Sequence, residues 1–228
     1  MVDGRVKPSA FEMPDYVIER VMKKRGRLRV FDQFAVRETA LVVIDMQKFY
    51  VADVAPALAI IPNINRLAAT FRARGGVVAW VQMTAGRDKQ SLWPLYHDFF
   101  FTKEAGARHR DNLTEGAEGH KLHDDLTTHK DDCFATKSRF SAFLPSVSDL
   151  PEMLRRRGII NVVIAGMLTN FCCETSARDA MMLDYKVVMV SDANAARYPE
   201  DHSAGFTTLF QSFGDVLTTD QVIEELLA

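Results

Sequence analysis

Six short runs set the limits on what this chain can fold into: Ala40–Asp45, Val77–Met83, Cys133–Lys137, Ile159–Ala165, Lys186–Ser191 and Asp215–Thr218. The first, second and fourth are apolar almost without interruption, so a strand formed there needs cover on both faces, as in a parallel sheet. Helical spacing fills the gaps between runs. Ile60, Ile64, Leu67, Ala68 and Phe71 recur on one face, Gly75-Gly76 stops that helix, and Pro62 is expected in its first turn, where a missing N–H costs little. Further helices are expected over 150–157 (closed by Gly158), 170–184, 199–213 and 220–227. Strands alternating with helices imply right-handed β-α-β units. The expected fold is therefore α/β: a three-layer α/β/α arrangement around a mostly parallel, Rossmann-like central sheet of about six strands. Residues 37–228 read as one domain. Residues 1–36 read as an N-terminal arm around a short basic helix, roughly Asp15 to Lys24.

Composition removes several classes of function. Twenty-eight basic residues against thirty acidic ones give a net charge of −2, so nothing global favours nucleic acid or an anionic membrane. The local basic patch from Lys23 to Arg29 fits a solvated helix end or a subunit contact. Met1 to Arg29 is repeatedly charged and holds no apolar stretch suited to a signal peptide, and no run reaches membrane-spanning length. Three cysteines, two of them adjacent, do not make a disulfide framework. A cytoplasmic location and catalytic thiol chemistry are the expectation. Residues 84–132 lack clear periodicity and hold aromatics, histidines and charges; they are expected to form short helices and part of a pocket wall.

Ligands of open parallel sheets bind beyond the carboxyl ends of the strands. Three reactive side chains belong there. Asp45 ends the first run, Lys137 ends the third, and Cys172 follows the fourth across the turn 166–170. A thiol in the first turn of a helix feels the partial positive charge of unpaired N–H groups, which favours the thiolate. Successive helical residues point about 100° apart. Cys173 then shares a stripe with Ala177, Ala180 and Met181, a packing set, while Cys172 shares the wetter stripe of Thr175, Ser176 and Asp179. Cys172 is the expected nucleophile. A nearby carboxylate takes the thiol proton and later returns it to a leaving amine, and a lysine steadies both charges.

At these residues the chain resembles the isochorismatase-like cysteine hydrolases, in the branch of N-carbamoylsarcosine amidase and ureidoacrylate amidohydrolase. The resemblance rests on three segments in family order: Ala40-Leu-Val-Val-Ile-Asp45-Met-Gln47, Lys137-Ser-Arg-Phe-Ser-Ala-Phe143, and Gly166-Met-Leu-Thr-Asn170-Phe-Cys172-Cys-Glu-Thr-Ser-Ala-Arg178-Asp179-Ala. It runs from about residue 38 to the C-terminus. It implies Asp45 as general base and acid, Lys137 as electrostatic partner and Cys172 as nucleophile. It also implies a cis peptide at Met167-Leu168 and an oxyanion hole from the backbone N–H groups of Leu168 and Cys172.

The implied activity is metal-independent cleavage of a C–N bond in a small carbamoyl, ureido or carboxamide substrate through a thioester. Gln47, Phe49, Tyr50, Trp93, Phe140 and Asn170 are the expected substrate-binding residues, with Phe143 adding to the apolar wall. Arg139, Arg87 or Arg178 would pair with a substrate carboxylate. The metal-binding relatives carry an Asp-x-His pair where this chain has Asp45-Met46-Gln47, and its histidines lack a ligand pattern, so neither metal nor cofactor is expected. The expected partners are a small-molecule substrate and further copies of the chain, in a dimer or tetramer. Two alternatives stay open: an isochorismatase-type enol-ether hydrolase, and a catalytically silent binding protein of the same fold.

Overall fold

The computed structural model describes residues 11–86 and 92–227. The arm contributes α1 (Asp15–Arg25), and β1 (Thr39–Ile44) then opens the sheet. Next come α2 (Lys48–Asp53), α3 (Pro56–Ala73), β2 (Val77–Met83), α4 (Pro94–Phe99), α5 (Lys103–Leu113) and β3 (Cys133–Lys137). The second half adds α6 (Leu150–Arg155), β4 (Asn161–Met167), α7 (Glu174–Met182), β5 (Lys186–Ala195), α8 (Pro199–Ser212), β6 (Asp215–Leu217) and α9 (Thr219–Gln221). The six strands form one all-parallel sheet in the order β3-β2-β1-β4-β5-β6. This is the α/β class that the apolar runs require.

Every residue of β1 is buried, and they divide between two cores. Leu41 and Val43 face the layer of α3 and the C-terminal turn, with Ile64, Leu67, Phe71 and Leu226. Ala40, Val42 and Ile44 face the opposite layer, with Leu154, Ala177, Phe206 and Leu209 from α6, α7 and α8. At ~25 cal/mol per Å² of apolar surface, each fully buried Leu or Ile contributes about 1.5–3 kcal/mol, so this double cover is what holds the sheet.

Several boundaries differ from expectation for physical reasons. Helix α3 begins at Pro56, which occupies the first-turn position expected for Pro62; Pro62 lies inside the helix. Ala57, Ile60 and Ile61 extend the buried stripe upstream and draw the helix with them. Strand β4 runs two residues later than the apolar run suggests, because Asn161 is the residue that pairs with Thr39 and Ile160 is left 47% exposed. The expected helix 170–184 starts as a wide π-type turn over Thr169–Cys173 before α7 takes up regular spacing. The short α2 was hidden in the sequence between Gln47 and Val54.

The arm lies on its own chain. Val17 and Val21 of α1 pack against Phe210, and Phe34 enters the α3-side core. Lys24 Nζ donates to Ser212 Oγ at 2.9 Å, Arg29 pairs with Glu225 at 2.6 Å, and Asp215 accepts the Val30 and Phe31 N–H groups. The basic patch thus meets acceptors of the C-terminal helices. Among the described residues, no helix is long and apolar enough to cross a membrane.

Candidate active site

The chain lays down β1, β2 and β3 in one direction, then returns to place β4 on the other side of β1. The carboxyl ends of β1 and β4 therefore flank the point where strand order reverses, the place where such sheets open a crevice. Asp45 follows β1 directly, with φ of 55°, in the left-handed region that Asp tolerates better than most residues. Opposite it, Gly166 pairs with Ile44 at φ of 115°, and a Cβ there would sit 2.1 Å from the Ile44 carbonyl oxygen. Only glycine lets the β4 end approach so closely. The peptide joining Met167 to Leu168 is cis.

Three side chains meet at this point. Lys137 Nζ, at the end of β3, lies 2.8 Å from Asp45 Oδ2 and 3.3 Å from Cys172 Sγ. Its third donor reaches the Arg139 carbonyl at 3.1 Å. Asp45 Oδ1 accepts the Met83 N–H at 3.0 Å, which fixes the carboxylate to the neighbouring strand end. Asp45 and Lys137 are almost fully buried, whereas Cys172 opens onto a cavity of about 330 Å³. Burial opposes the Lys137 charge, yet Asp45 and Cys172 together hold its ammonium above the ordinary pKa. Burial, reinforced by the Asp45 carboxylate, pushes the Cys172 thiol up, and Lys137 only partly offsets this. Desolvation thus works against the helix-start field that favours the thiolate, which fits a base beside Cys172 that takes its proton.

The cavity wall is aromatic. Phe49, Tyr50 and Phe140 line it, as do Tyr96, Phe101 and Phe171. Trp93 stands behind this lining, with its ring 4.9 Å from Phe140 and 4.6 Å from Tyr96. Gln47 and Asn170, expected at the substrate, lie outside the lining. Gln47 is fully buried and ties strand ends together: its Nε2 donates to the Met83 and His120 carbonyls at 3.0 and 2.9 Å, while its Oε1 accepts the Met83 N–H at 2.8 Å. Asn170 backs onto Gly205 of α8. Phe143 is wholly buried in the α6–α8 core beside Tyr185. Cys173, Ala177 and Ala180 share that core as expected, but Met181 is 40% exposed.

Two of the expected carboxylate-binding arginines are also engaged elsewhere. Arg178 is held by Glu174 at 2.6 Å and lies over Phe213, and Arg139 lies over Trp93. Arg87 is outside the described residues. The guanidinium groups that do line the cavity are Arg197, paired with Asp53 at 2.6 Å, and Arg108, over the Phe49 ring. Arg108, His109, Tyr96, Phe101 and Phe171 were not among the expected substrate-binding residues, although all but Phe171 lie in the 84–132 stretch expected to form part of a pocket wall. The signal was present for two of them: Ala105, Arg108 and His109 follow i, i+3, i+4 spacing along α5, so one helical face turns to the cavity. Among the described residues, no three His, Cys, Asp or Glu side chains converge as a metal-holding set.

The Isochorismatase domain family matches residues 39–221, most of the chain and all three site elements. The chain belongs to the isochorismatase family. Among its family relatives, a ureidoacrylate amidohydrolase of Pseudomonas syringae pv. syringae is 32% identical over 201 residues, covering 80% of this chain and 81% of that protein. A probable inactive nicotinamidase of Arabidopsis thaliana is 33% identical, covering 74% of this chain and 86% of that one. The crystal structure of a cysteine hydrolase from Pseudomonas syringae pv. phaseolicola superposes with a TM-score of 0.75 at 27% identity, covering 86% of this chain and 97% of that chain. Relatives in this isochorismatase family thus include an amidohydrolase and a cysteine hydrolase.

Proposed function

We propose that this isochorismatase-family member is a metal-independent cysteine amidohydrolase that cleaves a C–N bond in a small ureido, carbamoyl or carboxamide compound. The observation that supports this reading is the contact among Asp45, Lys137 and Cys172 on the floor of one aromatic cavity. As the Cys172 sulfur attacks the carbonyl carbon, Asp45 takes the thiol proton. The carbonyl oxygen becomes an oxyanion, held by the backbone N–H groups of Leu168 and Cys172. Asp45 then gives its proton to the leaving nitrogen as the C–N bond breaks, releasing ammonia or an amine and leaving a thioester. A water molecule, deprotonated by Asp45, attacks the thioester carbon, and the thiol leaves with the returned proton. Lys137 stays charged throughout and pairs with the Asp45 carboxylate between proton transfers.

The test is ammonia release from a panel of ureido acids, carbamoyl amino acids and simple amides, with wild type and Cys172→Ala compared after chelator treatment. Release that survives the chelator and vanishes in the variant supports the proposal. Turnover of an enol ether with no amide cleaved would overturn it in favour of ether hydrolysis, and silence on both would favour a binding protein of the same fold.

A further inference from the structure

Beside the catalytic floor, a line of hydrogen bonds runs from the cavity into the wall. Tyr50 Oη lies 3.0 Å from His109 Nε2, His109 Nδ1 lies 3.0 Å from His97 Nε2, and His97 Nδ1 lies 3.0 Å from the Trp93 carbonyl oxygen. Tyr50 and His109 line the cavity, while His97 is buried behind them. The far end decides where every proton sits. A carbonyl oxygen only accepts, so His97 carries its proton on Nδ1 and offers a lone pair at Nε2. His109 must then donate from Nδ1, which leaves its Nε2 as an acceptor. The Tyr50 hydroxyl proton completes the line by pointing at His109. The reverse polarity would set two lone pairs facing each other unless one ring took up a proton. Burial resists that: His109 is held down to about 4, by desolvation first and then by His97, Lys137 and Arg110. The Tyr50 phenol is likewise pushed up by burial and by Asp45 and Cys172, so it keeps its single proton for His109.

We infer that Tyr50 acts as a fixed hydrogen-bond acceptor in the cavity, taking an N–H of the scissile nitrogen and thereby orienting that nitrogen for its proton. This deepens the amidohydrolase reading and rests on it. When the tetrahedral intermediate collapses, the nitrogen lone pair must face protonated Asp45, so its own N–H bonds must point away. A hydroxyl whose proton was free to rotate would donate to that lone pair as readily as accept from the N–H. The His97–His109 line removes that choice. The substrate class it selects is an amide or ureide whose scissile nitrogen carries at least one hydrogen, so that an N–H remains to offer. An ester leaving group has none.

The experiment compares kcat/KM for a primary amide and the methyl ester of the same acid, in wild type, Tyr50→Phe and His97→Phe. Both substrates form the same thioester, so the comparison isolates its formation. Tyr50→Phe is expected to lose roughly tenfold on the amide, the value of one hydrogen bond, and to keep ester cleavage. His97→Phe does not touch the cavity, yet it frees the His109 tautomer and is expected to lose amide selectivity in the same direction. Equal losses on amide and ester in both variants would mean a packing role and overturn the inference, as would an unchanged amide rate in Tyr50→Phe. Failure of wild type itself on every amide would instead remove the amidohydrolase reading beneath it.

Discussion

The floor of the cavity is made of strand ends, and most of its wall is made of short helices and turns between residues 48 and 140, with Phe171 added from the turn after β4. Asp45, Lys137 and Gly166 each sit where a parallel strand stops; β1 and β4 are paired on either side and covered on both faces, while β3, the sheet edge, is paired to β2. The wall has none of that scaffolding. Helix α4 has six residues and α5 eleven, and ring contacts such as Tyr96 with Phe140 at 5.2 Å join them to the rest of the wall. The contrast assigns separate tasks. The floor fixes three charged or reactive atoms within hydrogen-bonding distance, which chemistry needs, and the wall supplies shape, which selects a substrate.

If that division is right, floor substitutions abolish turnover and wall substitutions redistribute it. The largest effect belongs to Cys172→Ala, with an expected loss of at least about 10³-fold in kcat and an unchanged melting temperature, since a half-buried thiol is replaced by a smaller group. Retained amide turnover in a purified, folded variant would end the nucleophile assignment. The raised Cys172 thiol adds a sharper check on its state. Alkylation by iodoacetamide should keep accelerating up to and beyond pH 9.0, the ordinary thiol value, rather than level off near neutrality.

Lys137→Met comes next, and it tests stability as well as activity. The variant leaves Asp45 buried without its cation, and removing one partner of such a pair typically costs about 3–5 kcal/mol. Urea denaturation reads that directly. A Lys137→Met variant as stable as wild type would mean that Asp45 is neutral in the folded protein. The double variant Asp45→Asn, Lys137→Met should recover much of the lost stability without any activity.

The same division explains what could be read from the sequence. Strand ends were legible because an uninterrupted apolar run leaves few ways to fold, and the residue that ends it has a defined place. The apolar runs place Asp45 and Lys137 at two strand ends and Cys172 just beyond a third, where the structure brings them together, and they imply a mostly parallel sheet, which is all-parallel here. Gln47 was misplaced because position after a strand does not say which way a side chain turns; here it bonds back to Met83 and His120. Phe143 was misplaced because an aromatic near a pocket and one in a core look alike in sequence. The wall was least legible. Ala105, Arg108 and His109 share one helical face by their spacing, but spacing does not say what that face meets; the packing of α4 on α5 turns it to the cavity.

Buried histidines offer a comparison of floor and wall in one titration. His109 in the wall and His202, whose Nδ1 lies 2.8 Å from Thr169 Oγ1 beneath the nucleophile turn, are both lowered by burial to about 4. The unfolded chain binds these protons near pH 6.5 and the folded chain does not. Their penalty is therefore absent above 6.5, grows as pH falls, and is complete below about 4. A shift of ~2.5 units amounts to about 3 kcal/mol for each histidine. Urea titrations at pH 7 and 4.5 should show stability falling in wild type and falling less in His109→Gln and in His202→Gln. If only His202→Gln flattens the curve, the wall exchanges with water more freely than its packing shows.

The smallest effect sharpens the comparison most, because it should leave the chemistry alone. Arg108 sits on the cavity rim with its guanidinium 5.4 Å from the centre of the Phe49 ring, while Arg197 is already engaged by Asp53. A ureido acid bound with its carbonyl at Cys172 would extend its carboxylate toward the rim, where a guanidinium offers two parallel donors. Arg108→Ala should raise KM for an anionic ureido acid by about tenfold, the worth of ~1.4 kcal/mol, with kcat little changed. A neutral amide of similar size should show no difference between variant and wild type. Should kcat fall instead, for charged and neutral substrates alike, Arg108 would be acting through Phe49 on the floor itself, and the separation of floor from wall would fail at this residue.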